Sequence, residues 1–267
     1  VGMALAEKLL ASRFNRPGFP VVDHRTWVFL GDGCLMEGIS HEACSLAGVW
    51  GLDKLVCLYD DNGISIDGHV EGWFRDDTAA RFRAYGWNVI GPVDGHDAVA
   101  LDAAITASKA GNGKPTMIIC RTTIGWGSPN KAGTHDVHGA PLGGDETAAT
   151  RDALGWPYGA FEIPEAIRQA WDGRAKGGVA EAEWDALFAR YRTAFPELAG
   201  EFERRMQGLL PDDWADIRTQ LLAQAGARQG QVATRKSSQN CLDLLVDRTS
   251  ELLGGSADLT GSNLTAG

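Results

Sequence analysis

The sequence predicts an α/β fold in which helices cover both faces of a parallel sheet. Short apolar runs without polar alternation, which are typical of buried parallel strands, recur along the first 120 residues. Stretches with helical periodicity separate these runs, and strands that alternate with helices form parallel βαβ units. The chain has 267 residues, 44% of them hydrophobic, which is enough for one large domain and part of a second.

Helix and strand signals alternate regularly as far as residue 120. The opening helix has no capping residue before it, so we expect the natural chain to continue upstream. The first strand ends in Gly-Asp-Gly at residues 31–33, and the next helix has apolar residues from Ile39 to Trp50 on one face. The predicted elements are a helix from residue 1, a strand at 26–30, a helix at 39–50, a strand at 54–59, a helix at 78–85, a strand at 87–90, a helix at 97–110 and a strand at 116–120.

The rest of the chain has a different character. Residues 125–146 are rich in Gly, Pro and His with little periodicity, and a loop of this length is typical of a functional segment. Residues 162–224 have helical patterns, which Pro196 should divide into two helices, and residues 252–258 have the pattern of a strand that leads into a loop. We therefore predict a first domain over residues 1–160, a helical extension and linker over 161–230, and the truncated start of a second α/β domain over 231–267.

Composition argues against several classes of function. The chain has 25 Lys and Arg against 35 Asp and Glu, a formal charge of −10, which argues against nucleic acid or an anionic membrane as the main partner. No apolar stretch approaches the ~20 residues that span a bilayer. The five cysteines are odd in number and never spaced as Cys-x-x-Cys, so we expect a reducing compartment, the cytoplasm, unless an upstream transit peptide directs the protein elsewhere.

Two polar residues follow the ends of neighbouring predicted strands. Asp32 follows the first strand and Asn62 the second. Ligands of open parallel sheets bind beyond the carboxyl ends of the strands, so we expect these side chains to lie together. A carboxylate and an amide oxygen suit Mg²⁺, which is completed by phosphate oxygens and water. Gly31 and Gly33 would let the backbone approach a phosphate, so the pattern predicts a Mg²⁺-bridged diphosphate.

Simpler interpretations of the same residues remain open at this point. A Gly-Asp-Gly sequence is common in turns, and Asp32 by itself is more typical of a helix cap than of a metal ligand. The order of strand, Gly-Asp-Gly, helix, strand and Asn62 is much more specific than either part. The chain has no G-x-x-x-x-G-K-[ST] and no G-x-G-x-x-G after a strand, which argues against a P-loop and a nicotinamide dinucleotide site.

Two segments at these strand ends resemble the thiamine diphosphate motif of the transketolase family. They are GDGCLMEGISHEA at residues 31–43 and YDDNGISIDG at residues 59–68. The resemblance covers essentially the whole chain, most loosely at 170–230, and implies the thiamine diphosphate-binding fold. His-Gly-Ala-Pro and Gly-Gly-Ser-Ala-Asp point to this family in particular. Further matching segments lie at residues 124–128, 135–141, 235–238 and 254–259.

The resemblance implies a set of cofactor-binding residues. Asp32, Asn62 and the backbone carbonyl of Ile64 would hold Mg²⁺, for which Ca²⁺ or Mn²⁺ are alternatives. Gly33 and Asn62 would contact the diphosphate of thiamine diphosphate. Ile66 would lie against the thiazolium ring.

The resemblance also implies residues that contact the substrate. His138 would touch both cofactor and substrate and act as the catalytic acid or base, since a histidine can do both near neutrality. Arg235 and Ser262 would bind the phosphate end of a sugar, and Glu37 would lie near a subunit interface. On local sequence alone, His138 could form a zinc site with His135, Arg235 could be a solvated charge, and Ser262 could be a turn residue.

A member of this family would transfer a two-carbon ketol unit from a ketose phosphate to an aldose phosphate in the pentose phosphate pathway. It would work as a homodimer with the active site between the subunits. Because the family uses residues on both sides of this segment, we expect the 267-residue chain alone to be inactive. Two alternatives remain open: another thiamine diphosphate transferase of the dihydroxyacetone synthase type, and a non-catalytic diphosphate-domain module.

Overall fold

The computed structural model describes residues 1–228 and 230–265. The chain forms two compact units, Val1–Ala189 and Arg190–Gly267. The three-part division predicted from the sequence stays a prediction. The first unit contains α1 (Gly2–Phe14), β1 (Thr26–Gly31), α2 (Asp32–Met36), α3 (Gly38–Val49), β2 (Leu55–Asp61), β3 (Ile64–Ser65), β4 (Gly68–His69), α4 (Thr78–Ala84), β5 (Asn88–Asp94), α5 (Ala98–Ser108), β6 (Thr116–Arg121), α6 (Gly144–Ala153) and α7 (Glu165–Trp171), and α8 (Arg174–Ala194) continues into the second unit.

Four parallel strands form the main sheet, in the order β1-β2-β6-β5. The register places Gly31 of β1 opposite Asp60 of β2, and Asp60 opposite Cys120 of β6. The carboxyl ends of three neighbouring strands therefore meet at one edge. Directly after β2, the short strands β3 and β4 form an antiparallel hairpin at this edge.

Helices cover both faces of the sheet, and each face has its own core. Met117 and Ile118 are consecutive residues of β6, and both are fully buried. Because side chains alternate across a strand, Met117 packs in a core with Phe82 of α4, while Ile118 packs in a second core with Ala104 of α5. The predicted α/β class, with a parallel sheet between helices, is confirmed.

Helix α3 forms where its periodicity predicts, but much of its apolar face is exposed. Ile39 is 72% exposed and Val49 is 77% exposed, and Leu46 and Trp50 also lie largely open. Ala47, which belongs to the predicted apolar face, is fully buried. Periodicity therefore locates the apolar stripe correctly but does not say what covers it.

The described residues of the second unit form helices and no strand: α9 (Pro196–Met206), α10 (Trp214–Gly226), α11 (Thr234–Arg248) and α12 (Thr260–Asn263). The break predicted at Pro196 is confirmed, because α8 ends at Ala194 and proline occupies the first position of α9. The prediction of two helices over residues 162–224 is wrong, since four helices, α7 to α10, begin there. The strand predicted at 252–258 is wrong. Within the described residues, no neighbouring strand pairs with this segment, so its apolar start lacks the ladder of hydrogen bonds that defines a strand.

No helix in the described part of the chain combines the length and the apolar composition needed to cross a bilayer.

Candidate functional site

The strand ends bring Asp32 and Asn62 to the same short stretch of backbone. Asp32 is the first residue of α2, and its Oδ2 accepts a hydrogen bond of 2.9 Å from the N–H of Gly63. Asn62 Oδ1 accepts a hydrogen bond of 2.9 Å from the N–H of Ile64, two residues further along the chain. The two acceptors therefore bond neighbouring amides of the loop after β2, Asp32 from 31 residues away and Asn62 within a local turn.

Asp32 is buried, with only 3% of its surface exposed, and it is held at both oxygens. Its Oδ1 accepts a hydrogen bond of 2.5 Å from the hydroxyl of Tyr59 in β2. Burial, together with the hydrogen bond to Asp32, raises the pKa of Tyr59 well above its usual range, so the phenol keeps its proton. Tyr59 therefore stays a donor to Asp32 at any physiological pH, and the carboxylate has one orientation.

The amide group of Asn62 is also fixed at both ends. Its Nδ2 donates a hydrogen bond of 3.0 Å to Asp60 Oδ2, while Asp60 Oδ1 accepts one from the hydroxyl of Thr122, the residue after β6. A carbonyl oxygen has two lone pairs, and the N–H of Ile64 uses only one lone pair of Asn62 Oδ1. The other lone pair is available to a cation.

The chemistry of this donor set fits Mg²⁺ and phosphate. Asp32 and Asn62 supply hard oxygen ligands, and the described residues contain no cluster of three or more His, Cys, Asp or Glu side chains that could hold a metal without further ligands. Mg²⁺ is typically bound by one or two carboxylates and completed by phosphate and water. No atom lies within 4 Å of the position that a Cβ would take at Gly31 or Gly33, so the backbone there is open to a ligand.

Two cavities open on opposite faces of the sheet near these strand ends. One, of about 490 Å³, is lined by Asp32, Tyr59 and Asp61. The other, of about 690 Å³, is lined by Gly31, Asp60 and Thr122, among others. The alternation along β2 explains this division, because Tyr59 and Asp61 point to one side and Asp60 to the other.

Asp61 belongs to the acidic surroundings of the first cavity. Burial raises the pKa of Asp61, the guanidinium of Arg121 at 3.0 Å opposes that shift, and the nearby charge of Asp32 adds to it. Asp32, Asp60 and Asp61 together place negative charge at the strand ends, which favours a cation over a free anion.

The residues from 125 to 142, here called the histidine loop, carry His138. The loop consists of turns with one short 3-10 helix at His135–Val137, and the side chain of His138 is exposed directly after it. The Nε2 atom of His135 lies 3.6 Å from Oδ1 of Asp136. A zinc site at His135 and His138 has no support, because no cluster of three or more possible metal ligands occurs in residues 1–228 and 230–265.

Four further predicted site residues, Glu37, Ile66, Arg235 and Ser262, are exposed, whereas Ile64 is buried. Ile66 is 68% exposed in the turn between β3 and β4, and Glu37 lies between α2 and α3. Arg235 and Ser262 belong to the second unit, in α11 and α12. The roles that the family resemblance implies for them stay predictions.

The sequence analysis missed three residues that organise the site. Tyr59 orients Asp32, Thr122 orients Asp60, and Glu146 binds the histidine loop. The sequence held a partial signal for Thr122, because it follows a predicted strand as Asp32 and Asn62 do. No local pattern distinguishes Tyr59 from an ordinary buried strand residue, or Glu146 from an ordinary first-turn glutamate.

The chain is similar to known proteins over almost its whole length. The model of the family described as "Transketolase, thiamine diphosphate binding domain" matches residues 1–211. The plasmid transketolase of Cupriavidus necator is 64% identical over 265 residues, and transketolase 1 of Vibrio cholerae is 58% identical over 265 residues. Both matches cover 99% of this chain but only 40% of the relative, so the chain spans about 40% of the length of these curated relatives.

Solved structures agree with this relationship. The chain is similar to a Pichia stipitis transketolase in complex with sedoheptulose-7-phosphate, with 41% identity and a TM-score of 0.88. It is also similar to the transketolase from Leishmania mexicana, with 42% identity and a TM-score of 0.87. Each match covers 99% of this chain and 39% of the other. Together with the family match over residues 1–211, this similarity shows that the chain belongs to the transketolase family.

Proposed function

We propose that this chain is the diphosphate-binding part of an enzyme that transfers a two-carbon ketol unit from a ketose phosphate to an aldose phosphate. The observation that carries the proposal is the convergence of Asp32 and Asn62 on the consecutive amides of Gly63 and Ile64. Two oxygen ligands and an open glycine backbone suit a Mg²⁺-bridged diphosphate, and the family match supports thiamine diphosphate as its source. The pentose phosphate pathway is the setting that this reaction implies.

In this proposal the strand ends bind the cofactor. Asp32, Asn62 and the backbone carbonyl of Ile64 hold Mg²⁺, or Ca²⁺ or Mn²⁺ in its place. Gly33 and Asn62 contact the diphosphate, and the exposed side chain of Ile66 is available to cover the thiazolium ring. When bound, thiamine diphosphate supplies the carbon nucleophile and the electron sink for breaking a bond next to a carbonyl.

The protein contributes proton transfer and substrate orientation. The exposed imidazole of His138 donates a proton to, or accepts one from, a substrate oxygen through its ring nitrogens. Arg235 and Ser262 bind the phosphate end of the sugar, since guanidinium forms two parallel hydrogen bonds to phosphate. The sugar phosphate named for the Pichia stipitis complex supports this class of substrate.

The same proposal includes a homodimer. The apolar stripe of α3, formed by Ile39, Leu46, Val49 and Trp50, is exposed over almost three helical turns. An exposed apolar stripe of this kind favours an interface, and two-fold dimers are the commonest assemblies. A cytoplasmic location also belongs to the proposal, and the five free cysteines support it.

The function is tested most cleanly in an intact enzyme. In the graft, as we call it, this chain replaces the aligned segment of the Cupriavidus necator plasmid transketolase, which is 64% identical. We expect the graft to form sedoheptulose 7-phosphate from xylulose 5-phosphate and ribose 5-phosphate, and Asp32→Ala to abolish this activity. A folded graft without transfer activity would contradict the proposal.

The two alternatives predict different results in the same assay. A dihydroxyacetone synthase-like enzyme would use formaldehyde as acceptor faster than ribose 5-phosphate. A non-catalytic module would give a folded graft that binds no thiamine diphosphate with or without Mg²⁺, whether or not Asp32 is replaced. The 267-residue chain by itself is expected to bind the cofactor weakly and to turn over no substrate.

A further inference from the structure

Glu146 has surroundings that are unusual for a residue in the first turn of a helix. It is the third residue of α6, whose N-cap is Gly143. A glutamate at this position commonly bonds back to the N-cap amide or lies in solvent. Glu146 is instead 92% buried, and its carboxylate faces a different segment of the chain, residues 128–130. A buried charge of this kind is retained only when it is fully bonded.

Three donors from the histidine loop satisfy this carboxylate. The hydroxyl of Ser128 and the N–H of Asn130, at 2.9 Å, donate to Oε1, while Asn130 Nδ2 donates to Oε2 at 2.8 Å. Ser128 in turn accepts a hydrogen bond of 3.2 Å from the N–H of Lys131. The hydrogen bonds from Ser128 and then Asn130 lower the pKa of Glu146 to about 2, so the carboxylate is ionised at neutral pH.

The turn that Glu146 binds is connected to the backbone on both sides of His138. Gly125, which has φ of +68°, packs so closely against Val137 that a Cβ there would lie 3.0 Å from Val137 Cγ2. Lys131 Nζ donates a hydrogen bond of 2.9 Å to the carbonyl of Leu142. Since the N–H of Ser128 donates a hydrogen bond of 3.0 Å to the carbonyl of Gly125, both contacts connect the loop around His138 to the segment that Glu146 bonds.

The imidazole of His138 has no hydrogen bond of its own in the part of the chain that the structure describes, residues 1–228 and 230–265. Its position consequently depends on the backbone of the loop. That backbone contains little regular structure, only the 3-10 helix His135–Val137. Fixing a catalytic group before the substrate arrives is a recognised requirement for efficient proton transfer.

We propose that Glu146 is a positioning residue for His138, because its carboxylate ties the Ser128–Lys131 turn to α6 and so fixes the loop that presents the imidazole. The role in catalysis rests on the proposed function, in which His138 transfers protons. The claim that Glu146 orders the histidine loop, here called the mechanical part, does not rest on the proposed function, since it concerns only this chain. The two parts are therefore tested separately.

Hydrogen exchange of the graft, measured by mass spectrometry, tests whether Glu146 orders the histidine loop. In Glu146→Gln one acceptor oxygen becomes an NH₂ group, so the charge-assisted hydrogen bond from Asn130 Nδ2 is lost, and rotation of the Asn130 amide restores only a weaker, neutral one. We expect exchange across residues 128–138 to become about tenfold faster or more, while β6 is unchanged. Adding Asn130→Asp supplies an acceptor for the new NH₂ group, so the double variant should return to within about twofold of the starting protein.

A matched control and a milder variant complete the design. Glu162 accepts a hydrogen bond of 3.0 Å from the N–H of Gly159 in an exposed loop of the same unit, so Glu162→Gln should leave the histidine loop unchanged. If Glu146→Gln fails to fold, Asn130→Ala removes only the Nδ2 donor and should give a smaller increase of about threefold.

The following outcomes would overturn the inference. One is an unchanged exchange rate in Glu146→Gln, or in Asn130→Ala if Glu146→Gln does not fold. Another is an equal increase of the exchange rate in β6, which indicates a general structural role. The third is an exchange rate that does not recover in the double variant. In the graft, the expected result is a roughly tenfold lower kcat with little change in KM, and recovery in the double variant. If exchange responds as expected but kcat does not, Glu146 orders the loop but is not a positioning residue for catalysis, and that half of the inference is wrong.

Discussion

The strand ends and the histidine loop, two parts of one candidate site, are fixed by different kinds of interaction. Asp32 follows a strand of a sheet whose central residues, such as Met117 and Ile118, are fully buried on both faces. His138 lies on an exposed loop, and a few side-chain hydrogen bonds centred on Glu146 determine its path. The strand ends of the candidate site thus share the stability of the core, whereas the order of the histidine loop depends on one carboxylate.

This difference implies that the two ends can be perturbed independently. Opening of a buried sheet requires loss of the core, but a surface loop opens at a small fraction of that free energy. Substitutions in the core should change the free energy of unfolding, and substitutions near Glu146 should change local order. The predictions below test that division, beginning with the largest expected effect.

Met117→Ala should destabilise the whole first unit. Met117 is fully buried in β6, and truncating a buried methionine costs about 2–5 kcal/mol in the free energy of unfolding. Urea unfolding of the 267-residue chain measures this, with Val99→Ala, at an 80% exposed position of α5, as the control. An equally large decrease in the free energy of unfolding from Glu146→Gln would contradict the distinction between the strand ends and the histidine loop.

Asp32→Ala should weaken Mg²⁺-dependent binding of thiamine diphosphate by about 100-fold or more, since it removes the charged ligand that we propose for Mg²⁺. Calorimetry of the graft at several Mg²⁺ concentrations measures the affinity. Asp67→Ala, in the exposed turn between β3 and β4, is the control and should bind normally. Normal binding of thiamine diphosphate by Asp32→Ala would show that Asp32 is not a ligand of the metal.

Tyr59→Phe should lower the affinity for Mg²⁺ by about tenfold without unfolding the protein. The substitution removes the donor to Asp32 Oδ1 and so frees the carboxylate to rotate, and loss of such an outer partner typically costs 10–100-fold in metal affinity. Tyr85→Phe removes a hydroxyl that contacts His41 at 2.9 Å and serves as the control. Equal affinity for both variants would mean that Asp32 is oriented by the sheet alone.

Mild changes of pH should leave the histidine loop unaffected. The pKa of Glu146 is lowered from 4.5 to about 2 by Ser128 and Asn130, so its contribution to stability is complete above pH 4.5 and is lost as the pH falls from 4.5 toward 2. Hydrogen exchange of residues 128–138, corrected for intrinsic rates, should therefore be constant from about pH 5.5 to 8 and rise in acid. A change within the neutral range would indicate that another group controls the loop.

The sequence could predict those parts of the site that depend on local order. Asp32 and Asn62 each follow a strand, and neighbouring parallel strands end at the same edge, so their placement at that edge needs no knowledge of distant packing. Tyr59 and Glu146 could not be found in this way. Tyr59 meets Asp32 across 27 residues and Glu146 meets Asn130 across 16, and only the tertiary structure brings these pairs together.

The remaining errors have a similar cause. Residues 252–258 have a strand-like composition, but a strand also needs a partner, and the described residues supply none. The apolar stripe of α3 predicts a helix correctly, yet Ile39 and Val49 remain exposed because periodicity does not identify the surface that covers a helix. Local patterns thus determine the elements, whereas their partners depend on contacts distant in sequence.

Anomalous diffraction from crystals of the graft with thiamine diphosphate and Mn²⁺ tests the central claim most directly. The account predicts one ion within about 2.5 Å of the carboxylate of Asp32, the Oδ1 of Asn62 and the backbone carbonyl of Ile64, with diphosphate oxygens completing its coordination. An ion bound elsewhere, or a diphosphate that reaches neither Asp32 nor Asn62, would contradict it.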